Sequence, residues 1–254
     1  MLSVARAERL LDMLQQDRSL TVTAAAEYLG VSPSTIRRDL THLESQGRLS
    51  RVYGGAVIEA SAEDPIEPPR LARKSEHADA KRQIGQAAAR LVTDNDTILV
   101  AGGTTTDAML QFLGGRTRLT VLTNNLQTAV IVSQHPEITV VVLGGYLRRD
   151  ELSLLGHLGV EALSRLNVDR AFYGAYAVDA DGLMGAEFNE TETDRALISA
   201  APELVVLADS SKFSRRAPAR LASATEISTL VTDAAAPVAT LDALSAQGVR
   251  IITC

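Results

Sequence analysis

Residues 32–40 (SPSTIRRDL) constrain the fold of this chain more than any other stretch. Pro33 suits the first turn of a helix, where a missing amide hydrogen costs nothing, and Ser32 can cap that turn. Ile36 and Leu40 have the spacing of an inward-facing helical stripe, so the hydroxyl and arginine side chains between them project from the opposite side. A short helix, a tight turn and a second helix with such a polar face form the geometry that reads the DNA major groove. We therefore predict a helix-turn-helix domain.

The surrounding sequence predicts the rest of this small domain. Helices are expected at residues 4–16, 22–30 and 33–46. Thr23 is expected to cap the second helix, and Gly30 and Gly47 are expected to end the second and the third. Two β-prone runs then flank the pair Gly54 and Gly55, and paired glycines allow the positive φ angles of a tight reversal. This hairpin would be the wing of a winged helix-turn-helix domain that spans residues 1–58.

Seven residues are candidates for contact with DNA. They are Ser32, Ser34, Thr35, Arg37, Arg38, Arg51 and Tyr53. Arg37 and Arg38 would reach guanine edges or phosphates, the hydroxyls would support them at the helix start, and the two wing residues would reach the backbone or the minor groove. An alternative stays open, in which one of the two guanidiniums pairs with Asp39 or Glu44 along the helix.

The charge distribution agrees with a small, specific DNA reader. The net charge of the chain is −6, yet residues 1–58 carry seven arginines against six acidic residues, so the acidity lies in the rest of the chain. Bulk acidity excludes a general nucleic-acid coat protein and does not oppose a local DNA-binding face. We predict a double-stranded DNA operator as one partner of this protein.

Composition indicates an ordinary globular protein of the cytoplasm. Apolar residues make up 46% of the chain and charged residues 22%, as in proteins with a real core. No apolar run approaches the ~20 residues of a membrane span, and no basic-then-apolar leader opens the sequence, so neither membrane insertion nor secretion is expected. The single cysteine, Cys254, excludes a disulfide framework and fits a reducing compartment.

A proline-rich segment separates two parts of the chain. Residues 59–78 contain three closely spaced prolines and have the composition of a linker. Residues 79–254 alternate between helical patterns and short β-branched runs, which indicates an α/β domain with a largely parallel sheet covered on both faces. Strands are expected at residues 97–101, 119–123, 138–143, 170–176, 204–208, 228–232 and 249–253.

Polar and glycine-rich turns follow several of these strands, at the edge where ligands bind in open α/β sheets. In residues 102–106 (GGTTT), two glycines allow close approach of a ligand and three threonines supply hydroxyls at a helix N-terminus, which favours an anion such as phosphate. The turn lacks the lysine of a nucleotide P-loop and the glycine spacing of a dinucleotide site. The alternative is an ordinary strand-to-helix turn. Residues 209–212 (DSSK) could hold sugar hydroxyls and a phosphate, or form a plain Asp/Ser turn.

Metal and nucleophilic chemistry find little support in the sequence. The four histidines are scattered without ligand spacing, and no G-x-S-x-G element is present. We predict no catalytic residues, no metal and no cofactor.

The combined motifs resemble the DeoR family of bacterial transcription regulators over nearly the whole chain. The matching residues are 34–40 (STIRRDL), 51–56 (RVYGGA), 103–106 (GTTT), 123–124 (TN), 143–145 (LGG) and 209–213 (DSSKF). The resemblance implies a Rossmann-like α/β sensor domain, similar in fold to isomerases of the ribose-5-phosphate type. It also implies a repressor of carbohydrate catabolic genes that a phosphorylated sugar releases from its operator. The candidate effector-binding residues are Gly103, Thr104, Thr105, Thr106, Asn124, Gly144, Gly145, Glu190, Asp209 and Lys212.

Two positions depart from the pattern of that family. Ala101 stands where the family usually has an aspartate, and Asp194 stands where its Glu-x-Glu-x-Lys-Arg pattern has the lysine. Both lie in the expected ligand pocket, and whether they alter its effector specificity stays open at this point.

Two further hypotheses are an enzyme in place of a regulator, and an activator of transcription in place of a repressor. A sugar-phosphate isomerase with an accessory helical domain would use Asp209, Glu190 or Glu192 with Lys212, but leaves the helix-turn-helix unexplained. An activator would have the same sequence features as a repressor. One DNA-binding module covers too short a site to be selective, so we expect a homodimer or homotetramer on paired half-sites.

Overall fold

The computed structural model describes residues 4–17, 19–45, 49–52, 55–57, 70–187 and 190–254. The chain divides into two compact units, Met1–Pro65 and Ile66–Cys254.

The first unit contains three helices and a small three-stranded sheet. The helices are α1 (Val4–Asp17), α2 (Val22–Leu29) and α3 (Pro33–Ser45), and the strands are β1 (Ser19–Thr21), β2 (Ser50–Val52) and β3 (Gly55–Val57). The sheet order is β1-β3-β2, with both pairs antiparallel. Leu10 and Leu14 of α1 pack with Ile36, Leu40 and Leu43 of α3, and all five are almost fully buried. The helical spacing of these residues in the sequence therefore predicted the core correctly.

The ends of α2 are fixed by a threonine and a glycine. Thr21, not Thr23, caps the helix, because its hydroxyl accepts a hydrogen bond from the amide of Ala24 at 3.2 Å. Gly30 ends α2 in the left-handed conformation, with φ 64° and ψ 34°, as predicted. Gly47 lies outside the described residues.

The predicted hairpin is confirmed as the antiparallel pair β2–β3, in which Val52 lies opposite Gly55. Gly55 belongs to strand β3 and not to a turn, and residues 53 and 54 lie outside the described ranges. A Cβ atom at Gly55 would lie only 1.9 Å from the carbonyl oxygen of Leu20 in β1, so close strand approach requires a glycine there.

The second unit is built on a seven-stranded parallel sheet, with the order β15-β14-β12-β9-β4-β5-β6. Its strands are β4 (Thr97–Val100), β5 (Thr120–Thr123), β6 (Thr139–Val142), β9 (Arg170–Gly174), β12 (Glu203–Leu207), β14 (Thr229–Thr232) and β15 (Arg250–Thr253). All seven strands expected from the sequence are present. Together with the helical first unit, they confirm the predicted fold class.

Both faces of this sheet are buried, which explains its continuous apolar runs. Leu99 and Val206 belong to the core on one face, and Ile98, Val100 and Val205 belong to the core on the other. Alternate residues of one strand therefore enter different cores, as expected for a parallel sheet with helices on both sides.

Helices cover the sheet. They are α4 (Arg70–Ser75), α5 (Ala78–Ala89), α6 (Thr104–Leu110), α7 (Leu126–Val132), α8 (His157–Leu163), α9 (Thr191–Ile198) and α10 (Val238–Ala246). Helix α4 lies within residues 59–78, the segment that the sequence indicated as a linker. Its arginines form ion pairs with Asp107 and Glu151, so this part of the segment packs onto the second unit. Residues 58–69 lie outside the described ranges.

Two smaller β structures were not predicted from the sequence. One is the antiparallel hairpin of β7 (Tyr146–Arg148) and β8 (Ser153–Leu155). The other is the sheet of β10 (Ala177–Asp179), β11 (Gly182–Gly185) and β13 (Ala219–Ser223). Their three-residue to five-residue strands are too short to give a clear alternation of apolar and polar residues.

The strand order of the large sheet reverses between β4 and β9. From β4 the chain proceeds through β5 to β6 on one side, and from β9 through β12 and β14 to β15 on the other. Ligands of open α/β sheets bind at such a switch point, outside the carboxyl ends of the strands. The predicted turn at residues 102–106 follows β4 and therefore lies there.

Candidate functional site

The exposed face of α3 carries two arginines without ion-pair partners. Arg37 and Arg38 are exposed, and neither forms an ion pair with another residue that the structure describes. Asp39 instead points into the first unit, where it is 3% exposed and accepts a hydrogen bond from Nε of Arg6 at 2.5 Å. The sequence alternative in which Asp39 neutralises Arg37 or Arg38 is therefore wrong, because Asp39 holds α3 to α1. Both guanidiniums remain available to a partner.

The start of α3 is a cluster of three hydroxyls. Oγ of Ser32 lies 2.8 Å from Oγ of Ser34 and 2.8 Å from Oγ1 of Thr35, and it accepts a hydrogen bond from the amide of Thr35 at 3.2 Å. Ser32 thus caps the helix as predicted. Arg51 lies on β2, and Tyr53 is outside the described residues, so contact of these two with DNA stays a prediction.

The second unit has an open cleft at the switch point of its sheet. The turns after β4, β5 and β9 form its floor, and the β7–β8 hairpin, α4 and α9 contribute to its walls. Six of the ten predicted effector residues line the cleft: Gly103, Thr104, Thr105, Asn124, Glu190 and Lys212. Folding therefore brings together residues from four separate segments.

Close packing explains the glycine at the start of the turn. A Cβ atom at Gly102 would lie 2.3 Å from Nδ2 of Asn125. The Asn125 side chain caps α7 by accepting hydrogen bonds from the amides of Gln127 and Thr128 at 3.0 and 3.1 Å. Its Nδ2 also donates to the carbonyl of Glu151 at 2.7 Å. Gly102 thus lets one asparagine hold the turn, α7 and the hairpin loop together.

The other four predicted effector residues do not line the cleft, and their packing is as follows. The hydroxyl of Thr106 is within 2.9 Å of the carbonyls of Ala101 and Gly103, and Thr106 is fully buried. Asp209 is 1% exposed and caps a 3-10 turn at Ser210–Phe213. Gly145 passes so close to β8 that a Cβ atom would lie 2.4 Å from the carbonyl oxygen of Leu155. Gly144 packs against α8, where a Cβ atom on Gly159 would lie 2.7 Å from its carbonyl oxygen.

Several charged residues of the cleft were absent from the predicted set. Arg73, Arg148, Glu151 and Asp194 all line it. Asp194 was recognised in the sequence as a departure from a family pattern, but the other three carry no local motif. They reach the cleft because α4 and the β7–β8 hairpin fold over the carboxyl edge of the sheet.

One guanidinium faces several carboxyl groups on one side of the cleft. Nη2 of Arg148 lies 2.9 Å from Oε1 of Glu187, and its Nη1 forms an ion pair with Glu190. Burial raises the pKa of Glu190, although Arg148 opposes the change. Burial, and then the neighbouring Glu190 charge, raise the pKa of Asp194 to about 7, while a hydrogen bond with Tyr173 and the Arg148 charge act in the opposite direction.

Ion pairs tie α4 to the opposite side of the cleft. Nη2 of Arg70 lies 2.5 Å from Oδ2 of Asp107, and Arg73 forms an ion pair with Glu151. Burial raises the pKa of Asp107, and the Arg70 charge opposes that change. Nζ of Lys81 donates to the carbonyl of Glu76 at 2.7 Å and fixes the turn between α4 and α5.

Comparison with known families identifies both units. The DeoR-like helix-turn-helix domain matches residues 6–62, and the DeoR C-terminal sensor domain matches residues 76–234. The chain belongs to the DeoR family. The resemblance noted in the sequence is thus confirmed.

Named relatives of this DeoR family member are transcriptional regulators. The glycerol-3-phosphate regulon repressor of Haemophilus influenzae is 31% identical over 98% of this chain and 96% of its own length. The protein of the same name from Escherichia coli K12 is 27% identical over 96% of each chain. The HTH-type transcriptional repressor GlcR of Bacillus subtilis is 32% identical over 96% of this chain and 93% of its own. These relatives are transcriptional regulators, the class of protein that the sequence predicted in preference to an isomerase-type enzyme.

Solved structures give a weaker likeness. Ribose 5-phosphate isomerase A of Neisseria gonorrhoeae superposes with a TM-score of 0.41 and 19% identity, over 54% of this chain and 53% of that one. A likeness of this size carries no argument about the ligand. Among the described residues, no group of His, Cys, Asp or Glu is arranged to hold a metal ion. No helix in the described ranges is long and apolar enough to cross a membrane.

The glycine turn can be tested with a matched pair of variants in this DeoR family member. Gly102→Ala should abolish the response of the protein to its effector, because the new Cβ displaces Asn125 and with it the cleft floor. Gly144→Ala is the control, since a Cβ there meets no atom within 4 Å. DNA titrations with and without effector measure both. Equal responses of the two variants would contradict the assignment of the cleft.

Proposed function

We propose that this DeoR family member is a sequence-specific DNA-binding repressor of carbohydrate catabolic genes that a phosphorylated sugar releases from its operator. The observation that carries the DNA-binding part is the α3 surface, where Arg37 and Arg38 are exposed and Asp39 is turned inward to Arg6. The relatives called glycerol-3-phosphate regulon repressors support the regulatory part.

The α3 surface suits the major groove of DNA. A guanidinium can donate two hydrogen bonds to O6 and N7 of one guanine, and such a bidentate contact contributes roughly 1–3 kcal/mol of discrimination. Arg37 and Arg38 are neighbours on one helix, so one can read a base while the other contacts a phosphate. The hydroxyls of Ser34 and Thr35 at the helix start are close enough to support these contacts.

The cleft of the second unit suits a phosphorylated sugar. Gly103 opens a helix whose first amides, with the hydroxyls of Thr104 and Thr105, can surround a phosphate. Lys212 adds a cation, and the amide of Asn124 and the carboxyl of Glu190 can bind sugar hydroxyls. These groups supply both kinds of hydrogen-bonding partner that a sugar phosphate needs.

The domain limits and the assembly are part of the same proposal. Residues 1–58 would be the DNA-binding domain and residues 79–254 the sensor domain, acting in the cytoplasm. We propose a homodimer or homotetramer, because two modules on one DNA face can read half-sites about 34–36 Å apart. Selectivity then comes from the pair and not from one short site.

Helix α4 is the proposed link between effector and DNA affinity. Its Arg73 lines the cleft in an ion pair with Glu151. An anionic effector competes with Glu151 for this guanidinium. An effector changes DNA affinity only if it binds the two states of the protein with different affinities, and α4 supplies a contact that can differ.

Fluorescence anisotropy on DNA upstream of the protein's own gene tests the proposed function. We expect tight binding relative to scrambled DNA, and release by one member of a panel of sugar phosphates at fixed salt. An Arg73→Ala variant should keep operator affinity and lose most of the release. Binding that no member of the panel weakens would overturn the effector cleft, and the absence of selective binding would overturn the DNA-binding function.

A further inference from the structure

We propose that Asp194 makes the cleft selective for a phosphate ester that also carries a protonated amine. This inference rests on the proposed function and names the chemical class of its effector. It starts from Asp194, a carboxyl group of α9 that lines the cleft.

Asp194 lies at the wall of the cleft, on α9. It is partly buried, lines the cleft with Glu190, and forms a hydrogen bond with the hydroxyl of Tyr173. The position thus has direct access to any molecule that fills the cleft.

The wall around Asp194 has too little positive charge. The charged groups that face it are Glu190 and Arg148, and Arg148 also pairs with Glu187. One guanidinium therefore serves three carboxyl groups. Burial, and after it the neighbouring Glu190 charge, raise the pKa of Asp194 to about 7, and the Arg148 charge does not offset them.

The remainder of the cleft favours an anion. Lys212 lines the cleft together with the glycine turn at Gly103. The charge of Arg73 is already balanced by Glu151. The cleft therefore offers positive potential at the turn and an excess of carboxyl groups at α9, which is complementary to a ligand with a phosphate and an ammonium group.

An unpartnered acceptor in the lining also calls for a donor from the ligand. Asn124 is 5% exposed, and its Nδ2 donates to the carbonyl of Leu154 at 3.2 Å, which fixes the orientation of the amide. Its Oδ1 is buried and has no hydrogen-bond partner among the described residues. A buried acceptor without a partner is costly, so a ligand that donates to it gains affinity.

An amine satisfies this cleft better than a hydroxyl group. Both can donate hydrogen bonds to Asn124 or Asp194, but only an ammonium adds the positive charge that the α9 wall lacks. A ligand with hydroxyls alone leaves Asp194 either charged without compensation or protonated. The expected consequence is a preference of at least 10-fold for the amine.

Calorimetric titration of the full-length protein tests the preference with matched ligands. The pairs are glucosamine 6-phosphate with glucose 6-phosphate, and galactosamine 6-phosphate with galactose 6-phosphate, which differ only in the amine. We expect the amine of at least one pair to bind 10-fold or more tightly. Asp194→Asn should reduce that ratio to below twofold and retain the hydroxyl ligand. Glu192→Gln, an exposed change on the same helix, is the control and should keep the ratio.

Proton release gives a second readout that needs no variant. An ammonium beside Asp194 favours its charged form, so binding of the amine at pH 7 should release protons that the hydroxyl ligand does not release. Titration in two buffers of different ionisation enthalpy measures the difference.

The outcomes separate this inference from the function on which it rests. Equal affinities within both pairs, or a preference that survives in Asp194→Asn, would overturn the role of Asp194 while release of DNA by sugar phosphates still stood. If no sugar phosphate released the DNA, the effector part of the proposed function would fail as well.

Discussion

Replacing Arg37 and Arg38 together by alanine should lower operator affinity by at least 100-fold and leave the thermal unfolding midpoint unchanged. A bidentate contact with a base is worth roughly 1–3 kcal/mol, and its loss together with the phosphate contact of the other arginine gives about 2.8 kcal/mol, which is 100-fold. Stability should not change, because both side chains are exposed and form no ion pair within the described structure.

A single charge elsewhere on the same unit supplies the control. Arg9 is an exposed arginine of α1. Arg9→Ala removes one positive charge, as Arg37→Ala or Arg38→Ala does alone. It should weaken binding by only a few fold through general electrostatics. Anisotropy titrations at several salt concentrations distinguish the two arginines, since loss of a phosphate contact reduces the salt slope and loss of a base contact relaxes specificity. Equal losses for Arg9→Ala and the α3 variants would contradict α3 as the recognition helix.

The large sheet could be predicted because its signals are local. Each strand is a short apolar run, and residues such as Leu99 and Val100 enter cores on opposite faces. A sequence with this pattern has few other ways to bury its side chains. The hairpin β7–β8 and the three-stranded sheet escaped prediction, since their pairing depends on packing over the finished sheet.

At the candidate site, too, residues with a local sequence signal could be predicted and residues placed by contacts between distant segments could not. The glycine turn and Lys212 could be found because each follows a strand, at an edge known to bind ligands. Arg73 and Arg148 could not, because their partners are 78 and 42 residues away in the sequence. Nor does the sequence reveal that Asp39 turns inward, since Arg6 lies 33 residues before it on another helix. Ion pairs between distant segments carry no periodic signal.

Asp194 should also make the stability of the protein rise as the pH falls from 8 to 5. Its pKa in the folded protein is about 7, against an ordinary value of 3.8, so the folded state takes up a proton that the unfolded chain does not. This stabilisation is complete below the ordinary value and is lost as the pH rises through 7. One pKa unit corresponds to about 1.36 kcal/mol, so the full difference is up to about 4 kcal/mol.

Urea unfolding of the wild type and of Asp194→Asn over this pH range measures the effect. The variant should be the more stable protein at pH 8, and its free energy of unfolding should vary less with pH. Glu190 and Asp107 also have raised pKa values and contribute to the slope of both proteins, so the difference between them isolates Asp194. Asp94, Glu137 and Glu226 have lowered pKa values and act below this range. Parallel pH profiles of the two proteins would contradict the prediction. A carboxyl group that lowers stability at neutral pH, within a cleft, agrees with the ligand-binding role that we propose for Asp194.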